Sequence, residues 1–424
     1  MYSAKKLIGF IKTSELSSNL FRVLCLVIIF RTGSLIALPG IDIGSITKSS
    51  NGLLNMLDMF LGGAFNNVSI FGLGIMPYIN ASIIVHLLIL MYPSFKRIQM
   101  DGQYGRARIN RITKLLTLFI AIFQSVAFFG YIVQDSWLLI NKRLFMCMSV
   151  FVLSAGSMMC VWIGEKITDC GIGQGMSILI MIGIVSALPR AIYDEYALKS
   201  DMLTFLLEIL MFVATITFVI IISLAVRKIK LICIKETMSF EDLDRKRHYL
   251  PQKLIGSGVM PVIFAQVFMF ILSFFFKFLS SKSNICSTMY GQLTNTTSLT
   301  YGIIYAVIIV MFSYLYLAVN INPMKIAEDL KRGSEFIPGI KPGEPTAKYI
   351  DRIISLIALP GALCLVIVAM LPSIMSKFGV GQSFAHFFGG TSLLILVTVV
   401  VECMRYIESY FLLFQYDNLD EFNV

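Results

Sequence analysis

Charge is scarce in this chain. Asp, Glu, Lys and Arg make up 14% of its 424 residues, where a soluble domain carries about 25%. Hydrophobic residues reach 57%, above the ~45–50% of soluble domains. These two departures exclude an ordinary soluble globular fold. Histidine is scarcer still: His86, His248 and His386 lie far apart and form no H-x-x-x-H pattern. None of the eight cysteines (Cys25, Cys147, Cys160, Cys170, Cys233, Cys286, Cys364, Cys403) joins a C-x-x-C pair, and most fall in apolar runs. A zinc site or disulfide framework is therefore not expected. The apolar runs hold no cluster of His, Asp, Glu or Cys at ligand or nucleophile spacing, so the reading is of a non-enzyme without a cofactor or metal. Residues 1–20 are mixed and polar, and the apolar run after them is too long for a signal-peptide core, so no cleavable leader is expected.

What the chain has instead is long uncharged runs. A membrane-crossing helix needs about 20 mostly apolar residues. Ten runs meet this, near 21–38, 72–92, 112–134, 144–163, 174–193, 204–226, 256–279, 300–319, 354–375 and 391–414. Pro77 and Pro261 are read as helix-weakening residues inside the second and seventh. The stretch Leu53–Leu61, followed by Gly62-Gly63, is too short to span and reads as a half-helix or re-entrant piece. The net charge of +10 fits basic loops on one side of a membrane better than a nucleic-acid target. Ten spans put both ends of the chain on one side. Sorted by loop, 26 of the 35 Lys and Arg fall on that side and nine on the other, which places both termini in the cytoplasm by the positive-inside rule.

The sequence also repeats itself. Gly74-Ile75-Met76-Pro77-Tyr78-Ile79 opens the second span and Gly258-Val259-Met260-Pro261-Val262-Ile263 opens the seventh. The shared pattern is G-(I/V)-M-P-x-I, in corresponding spans of two five-span halves. Five is odd, so the second half runs inverted, an arrangement that points to a central site at the repeat interface. This supports a channel or an inverted-repeat secondary solute transporter. A transporter usually carries an ionisable residue in mid-span to handle a coupling ion. Here only His86 and Glu208 approach that role, and both lie toward span ends. A path lined by Ile and Met suits a hydrophobic constriction better than a small-solute site.

Longer stretches carry a family resemblance. They are Phe30-Arg31-Thr32-Gly33-Ser34 with Leu38-Pro39-Gly40, Asp58 to Ala64, Leu73 to Ile84, and Trp162 to Thr168 with Gly171-Ile172-Gly173-Gln174-Gly175. Further on come Asn322-Pro323, Phe336 to Glu344, Thr346 to Asp351, and Gly389 to Ile395. In this order the chain resembles the SecY/Sec61-alpha family of translocon channel subunits nearly from end to end. The resemblance implies an all-α integral membrane fold, ten helices in two inverted five-helix halves around a central pore. Its segments would be a cytoplasmic N-terminus (1–20), a first half (21–193) with a plug at 53–64, and a sixth span (194–226). After these come a cytoplasmic loop (227–253), spans seven and eight (254–319), a second cytoplasmic loop (320–353), spans nine and ten (354–414) and a cytoplasmic C-terminus (415–424).

The resemblance also assigns residues. A pore ring falls on Ile75, Ile79, Met176, Ile180, Ile263 and Ile395. Residues four apart share a helix face, so Ile75 with Ile79 and Met176 with Ile180 can each point one way. Met176 departs from the family's preference for Ile and makes a softer seal. The plug would use Leu53, Leu57, Met59, Phe60, Gly62 and Gly63. A lateral gate would fall on Asn80, Gln124 and Ile255, with Asn80 and Gln124 bonded to each other. Docking of a motor or ribosome would use Arg245, Lys246, Arg247, Lys341 and Lys348. Lys341 stands where the family generally has Arg, a point charge in place of a planar fork. Arg31 has two readings, reaching the headgroups or pairing internally. The implied partners are SecE-type and SecG-type small subunits, the SecA ATPase, the ribosome, unfolded secretory and membrane-protein substrates, and the lipid bilayer. The implied location is a bacterial plasma membrane, with a plastid thylakoid membrane as the alternative.

Overall fold

The computed structural model describes residues 14–40, 68–132, 141–199, 202–233, 248–256, 258–279, 284–294, 298–385 and 387–421. Ten principal helices occur there, in the order of the ten apolar runs: α1 (Ser14–Leu35), α2 (Met76–Met91), α4 (Gly102–Ile132), α5 (Lys142–Asp169), α6 (Gly175–Leu198), α7 (Met202–Leu224), α8 (Met260–Leu279), α10 (Leu299–Asn320), α12 (Glu344–Lys377) and α14 (Gly390–Glu421). The shorter helices are α3 (Pro93–Met100), α9 (Asn284–Thr294), α11 (Pro323–Arg332) and α13 (Gln382–Ala385). Eight of the described helices are long and apolar enough to cross a membrane alone. α2 and α3 together are also apolar enough, as a broken span or a re-entrant loop bent by 102° between them. The apolar part of α8, Met260–Ser273, is shorter. The bend falls at Tyr92, which is extended (φ −113°, ψ 116°) ahead of Pro93. A residue before proline is pushed out of the helical region, so the helix must end there.

The chain divides into two compact units, Met1–Ala197 with Thr398–Val424, and Leu198–Val397. In the first unit, α4 packs against α2 and α5. Its buried stripe runs at a spacing of four: Thr113, Thr117, Ala121, Ser125 and Phe129. The three hydroxyls donate to carbonyls one turn back, at 3.0, 2.7 and 2.6 Å. Small residues let helices approach in lipid, where no water satisfies a stray hydroxyl. The opposite face carries Phe119 and Phe123, more than 70% exposed, as a lipid-facing surface should be. α5 buries a similar set, Ser149, Ser154, Gly156, Ser157, Cys160 and Gly164.

In the second unit, α10 packs against α8 and α12. This unit also holds a feature outside an all-helical reading. The segment read as a basic loop forms β1 (Val226–Cys233) and β2 (His248–Lys253), antiparallel, and β3 (Glu335–Phe336) adds to the other edge of β1. The sheet forms because β1 alternates, with Ile229 and Leu231 buried and Arg227, Lys228 and Lys230 exposed. The buried face joins Leu330, Ile337 and the start of α12 (Ile350, Ile353, Ile354, Ile357) in one apolar cluster. A period of two exposes one face of a strand and buries the other, which the three Lys and Arg of this segment would not require in a loop.

Candidate functional site

The two copies of the G-(I/V)-M-P-x-I motif build the same turn. Gly74 and Gly258 both have positive φ, 49° and 63°, a region open to glycine and strained for other residues. The amide of Gly74 donates to Phe71 O (2.9 Å), and that of Gly258 donates to Ile255 O (3.1 Å). One residue on, Ile75 O accepts from Tyr78 and Ile79, as Val259 O accepts from Val262 and Ile263. Each helix then begins at the methionine, Met76 or Met260, with proline second. Pro77 and Pro261 are therefore helix starters, correcting their reading as weak points inside spans. A proline in the first turn forfeits only an amide that has no helical partner.

The residues assigned to a ring all lie at helix starts. Ile75 caps α2 and is buried, with Ile79 in the first turn and partly buried. Ile263 occupies the matching place in α8, five residues after its glycine. Met176 and Ile180 lie in the first two turns of α6, and Ile395 lies in the second turn of α14. A second repeat becomes visible here: Gly175-Met-Ser-Ile-Leu-Ile180 opens α6 and Gly390-Thr-Ser-Leu-Leu-Ile395 opens α14. Ile180 and Ile395 thus match as Ile79 and Ile263 do. Sequence reading missed this pair because only Gly, Ser, Leu and Ile recur, all common in spans. The shared helix start is what marks it.

Glycines let these helices close on a neighbour. A Cβ on Gly175 would lie 1.9 Å from Gly164 O of α5, and one on Gly389 would lie 2.5 Å from Val368 O of α12. Either is closer than any real side chain tolerates. The Met176 sulfur lies against Gly164, 2.4 Å from where a Cβ would stand, so Met176 is tied to α5.

Asn80 and Gln124 sit on α2 and α4, which pack together, but they do not bond to each other. The Oδ1 of Asn80 and the Oε1 of Gln124 are buried without a hydrogen-bond partner among the described residues. The expected link is corrected on that point. Ile255 lies five residues before α8, in the turn after β2, and is partly buried. Its carbonyl accepts from the Gly258 amide ahead of α8. Arg31 Nη1 is likewise buried and unpartnered. His86 Nδ1 donates to Ser82 O at 2.7 Å. Glu208, 5% exposed, takes a hydrogen bond and ion pair from Lys199 at 2.6 Å, and Lys199 also donates to Gly379 O at 3.2 Å. The plug residues Leu53, Leu57, Met59, Phe60, Gly62 and Gly63 and the cluster Arg245, Lys246 and Arg247 lie outside the described residues.

The sheet presents a basic surface. Arg227, Lys228, Lys230, Lys253, Lys325, Lys331 and Arg332 are exposed, and Lys228 lies 5.9 Å from the centre of the Tyr249 ring. Asn322 caps α11 by accepting from Met324 and Lys325. Lys341 stands exposed between Gly339 (φ 81°) and Gly343 (φ 103°), and its carbonyl accepts from Thr346 Oγ1 at 2.9 Å. The loop is rooted by buried Ile337, whose carbonyl accepts from Ile340. Lys348 forms an exposed 2.8 Å pair with Glu344. Lys341 is therefore held out on a rigid loop, while Lys348 has a local partner.

Eight described helices long and apolar enough to cross a membrane, matched helix starts lined by aliphatic side chains, and one basic sheet define a polytopic α-helical membrane protein. The SecY family model matches residues 69–404, and the chain belongs to the SecY family. The protein translocase subunit SecY of Escherichia coli (strain K12) is 35% identical over 418 residues, covering 95% of this chain and 94% of that protein. Two solved structures share the fold. One is described as the structure of a protein conducting channel (TM-score 0.63, 15% identity, 91% of each chain). The other is Sec61 in the canine ribosome-channel complex from the endoplasmic reticulum (TM-score 0.58, 14% identity, 91% of each chain).

Proposed function

We propose that this chain is the central subunit of a channel that passes unfolded polypeptides across a membrane and releases hydrophobic segments sideways into the bilayer. The observation that carries this reading is the pair of identical helix starts on α2 and α8 in a chain related to translocase subunits along nearly its whole length. At these starts Ile79 and Ile263, with Ile75, Met176, Ile180 and Ile395, form the ring that closes the path. Branched aliphatic side chains exclude water and ions without offering a passing chain a polar site. Residues 53–64 act as the plug, and Asn80, Gln124 and Ile255 border the lateral gate. Both termini and the basic sheet face the cytoplasm of a plasma membrane. The sheet, Arg245 to Arg247 and Lys341 receive a SecA-type motor or a ribosome, and SecE-type and SecG-type subunits complete the assembly. The transporter reading is not favoured, because the relatives are named translocase subunits and the solved structures that share the fold are protein-conducting channels.

Reconstitution tests the reading. Vesicles containing this chain with its small subunits should protect an unfolded precursor from protease when a SecA-type motor and ATP are supplied. Ile79→Ser and Ile263→Ser should each raise resting ion leak, and by similar amounts because the two places match. Absence of protected precursor, or vesicles as tight with both variants as with the unaltered chain, would sink it.

A further inference from the structure

α14 begins beside α8 in the second unit, where Thr391 Oγ1 donates to Gln266 Oε1 at 2.9 Å. Thr391 is buried and Gln266 partly buried. We propose that this hydrogen bond is the positioning contact for the second unit's share of the seal, and that the matching places of the first unit, Ser82 and Met176, form no counterpart. The inference rests on the ring reading above for its function but not for its geometry.

The geometry follows from helix direction and rise. The seventh and tenth spans run antiparallel. Ile263 precedes Gln266 by three residues, and Ile395 follows Thr391 by four. Moving from the hydrogen bond, both isoleucines therefore lie in the same direction. At 1.5 Å per residue they are displaced by about 4.5 and 6 Å, which leaves them within about 1.5 Å of the same depth. Each also shares a helix face with its polar neighbour, since residues three or four apart do so. One bond thus fixes both the depth and the facing of two ring residues.

The surroundings hold the bond in place. Gly389 closes α14 onto Val368 of α12. Phe264 packs edge-on against Phe312 and Tyr316 of α10. α8 and α14 are each anchored on a different helix, and Gln266–Thr391 ties the one to the other. In lipid such a tie is not contested by water.

The first unit lacks the chemistry. Counting from the matched glycines, the place of Gln266 is taken by Ser82 and that of Thr391 by Met176. The Ser82 hydroxyl lies 3.4 Å from His86 Nδ1, one turn along its own helix, and Met176 lies against Gly164. A thioether donates no hydrogen bond and accepts only weakly, and the Met176 sulfur lies against Gly164 of α5, so α6 is not tied to α2 in this way.

The test uses the full chain in lipid with its small subunits, in a background without the eight native cysteines. Spin labels on Ile263→Cys and Ile395→Cys report the distance between the two sites. Thr391→Val and Gln266→Leu should each broaden that distribution, and Thr391→Ser, which keeps the hydroxyl, should restore it. With isoleucines intact, Thr391→Val and Gln266→Leu should raise resting ion leak about threefold, the scale of one interhelical hydrogen bond in a membrane. The double variant should leak no more than either single one, and Ser82→Ala should leave leak unchanged. A narrow distribution in both single variants overturns the proposal. A broadened distribution with no leak from Ile263→Ser and Ile395→Ser upholds the positioning contact and removes the ring reading instead.

Discussion

The first and second units carry the same helix starts and secure them differently. At α2 and α8 three backbone bonds match, from the glycine with positive φ to the paired amides on the carbonyl of the residue after it. At α6 and α14 a glycine closes each helix onto its predecessor. The side chains diverge beyond that. The second unit joins its two starts by Gln266 and Thr391, whereas the first leaves Asn80 and Gln124 without partners and rests Met176 on Gly164. Equivalent backbones therefore do not give equivalent stiffness. Turn geometry is set by local glycine and proline chemistry, and cross-helix ties depend on two distant positions changing together.

The largest expected contrast lies between two ion pairs, one in each unit. Lys199–Glu208 and Lys114–Glu165 are both 2.6 Å long, but Glu208 is nearly buried while the other pair is about one-third exposed. Lys199→Met leaves a buried carboxylate uncompensated and should cost about 3–5 kcal/mol. Lys114→Met should cost at most ~1 kcal/mol, because solvent screens the pair. Thermal unfolding of the lipid-bound complex measures both, and equal losses would erase the distinction between the units.

The glycine contacts come next. Gly175→Ala and Gly389→Ala each press a methyl group into a carbonyl and should cost about 1–3 kcal/mol. Gly175→Ala should cost more, since its approach is closer. The same melts rank them, and the reverse order would mean that α14 yields less readily than α6.

Asn80 should respond in the opposite sense. A buried polar atom without a partner costs about 1–3 kcal/mol. Asn80→Leu, which makes this position apolar like its counterpart Phe264, should therefore stabilise the first unit by about 1 kcal/mol. A loss of stability would show that Asn80 holds a partner in the membrane. The smallest stability effect belongs to Lys341→Glu, within about 0.5 kcal/mol because the residue is exposed. Export driven by a SecA-type motor should nonetheless fall while complex assembly stays normal. Normal export would remove Lys341 from docking.

Much of the fold was legible beforehand. Ten apolar runs became ten helices because a spanning segment must satisfy its backbone within itself, and length with hydropathy reports that directly. The G-(I/V)-M-P-x-I repeat was legible for a similar reason, since glycine and proline act on their own backbone. That the prolines start helices was not: the hydropathy of residues 72–75 and 256–259 hides the turn, and only the hydrogen bonds to Phe71 and Ile255 reveal it. The sheet was not legible although Ile229 and Leu231 alternate with charge, because the three Lys and Arg of Val226–Cys233 are equally consistent with a basic loop.

The sequence by itself determined the class of protein, the number and order of spans and the repeated turn, all of which arise from interactions within about one turn of chain or from the solvent. Only tertiary structure decided which polar side chains meet. Asn80 and Gln124 looked like partners and are not, while Gln266 and Thr391, 125 residues apart, carried no visible signal and do meet. A hydrogen bond needs its two atoms placed to within a few tenths of an ångström, and that placement is fixed by how Gly389, Phe264 and their neighbours pack.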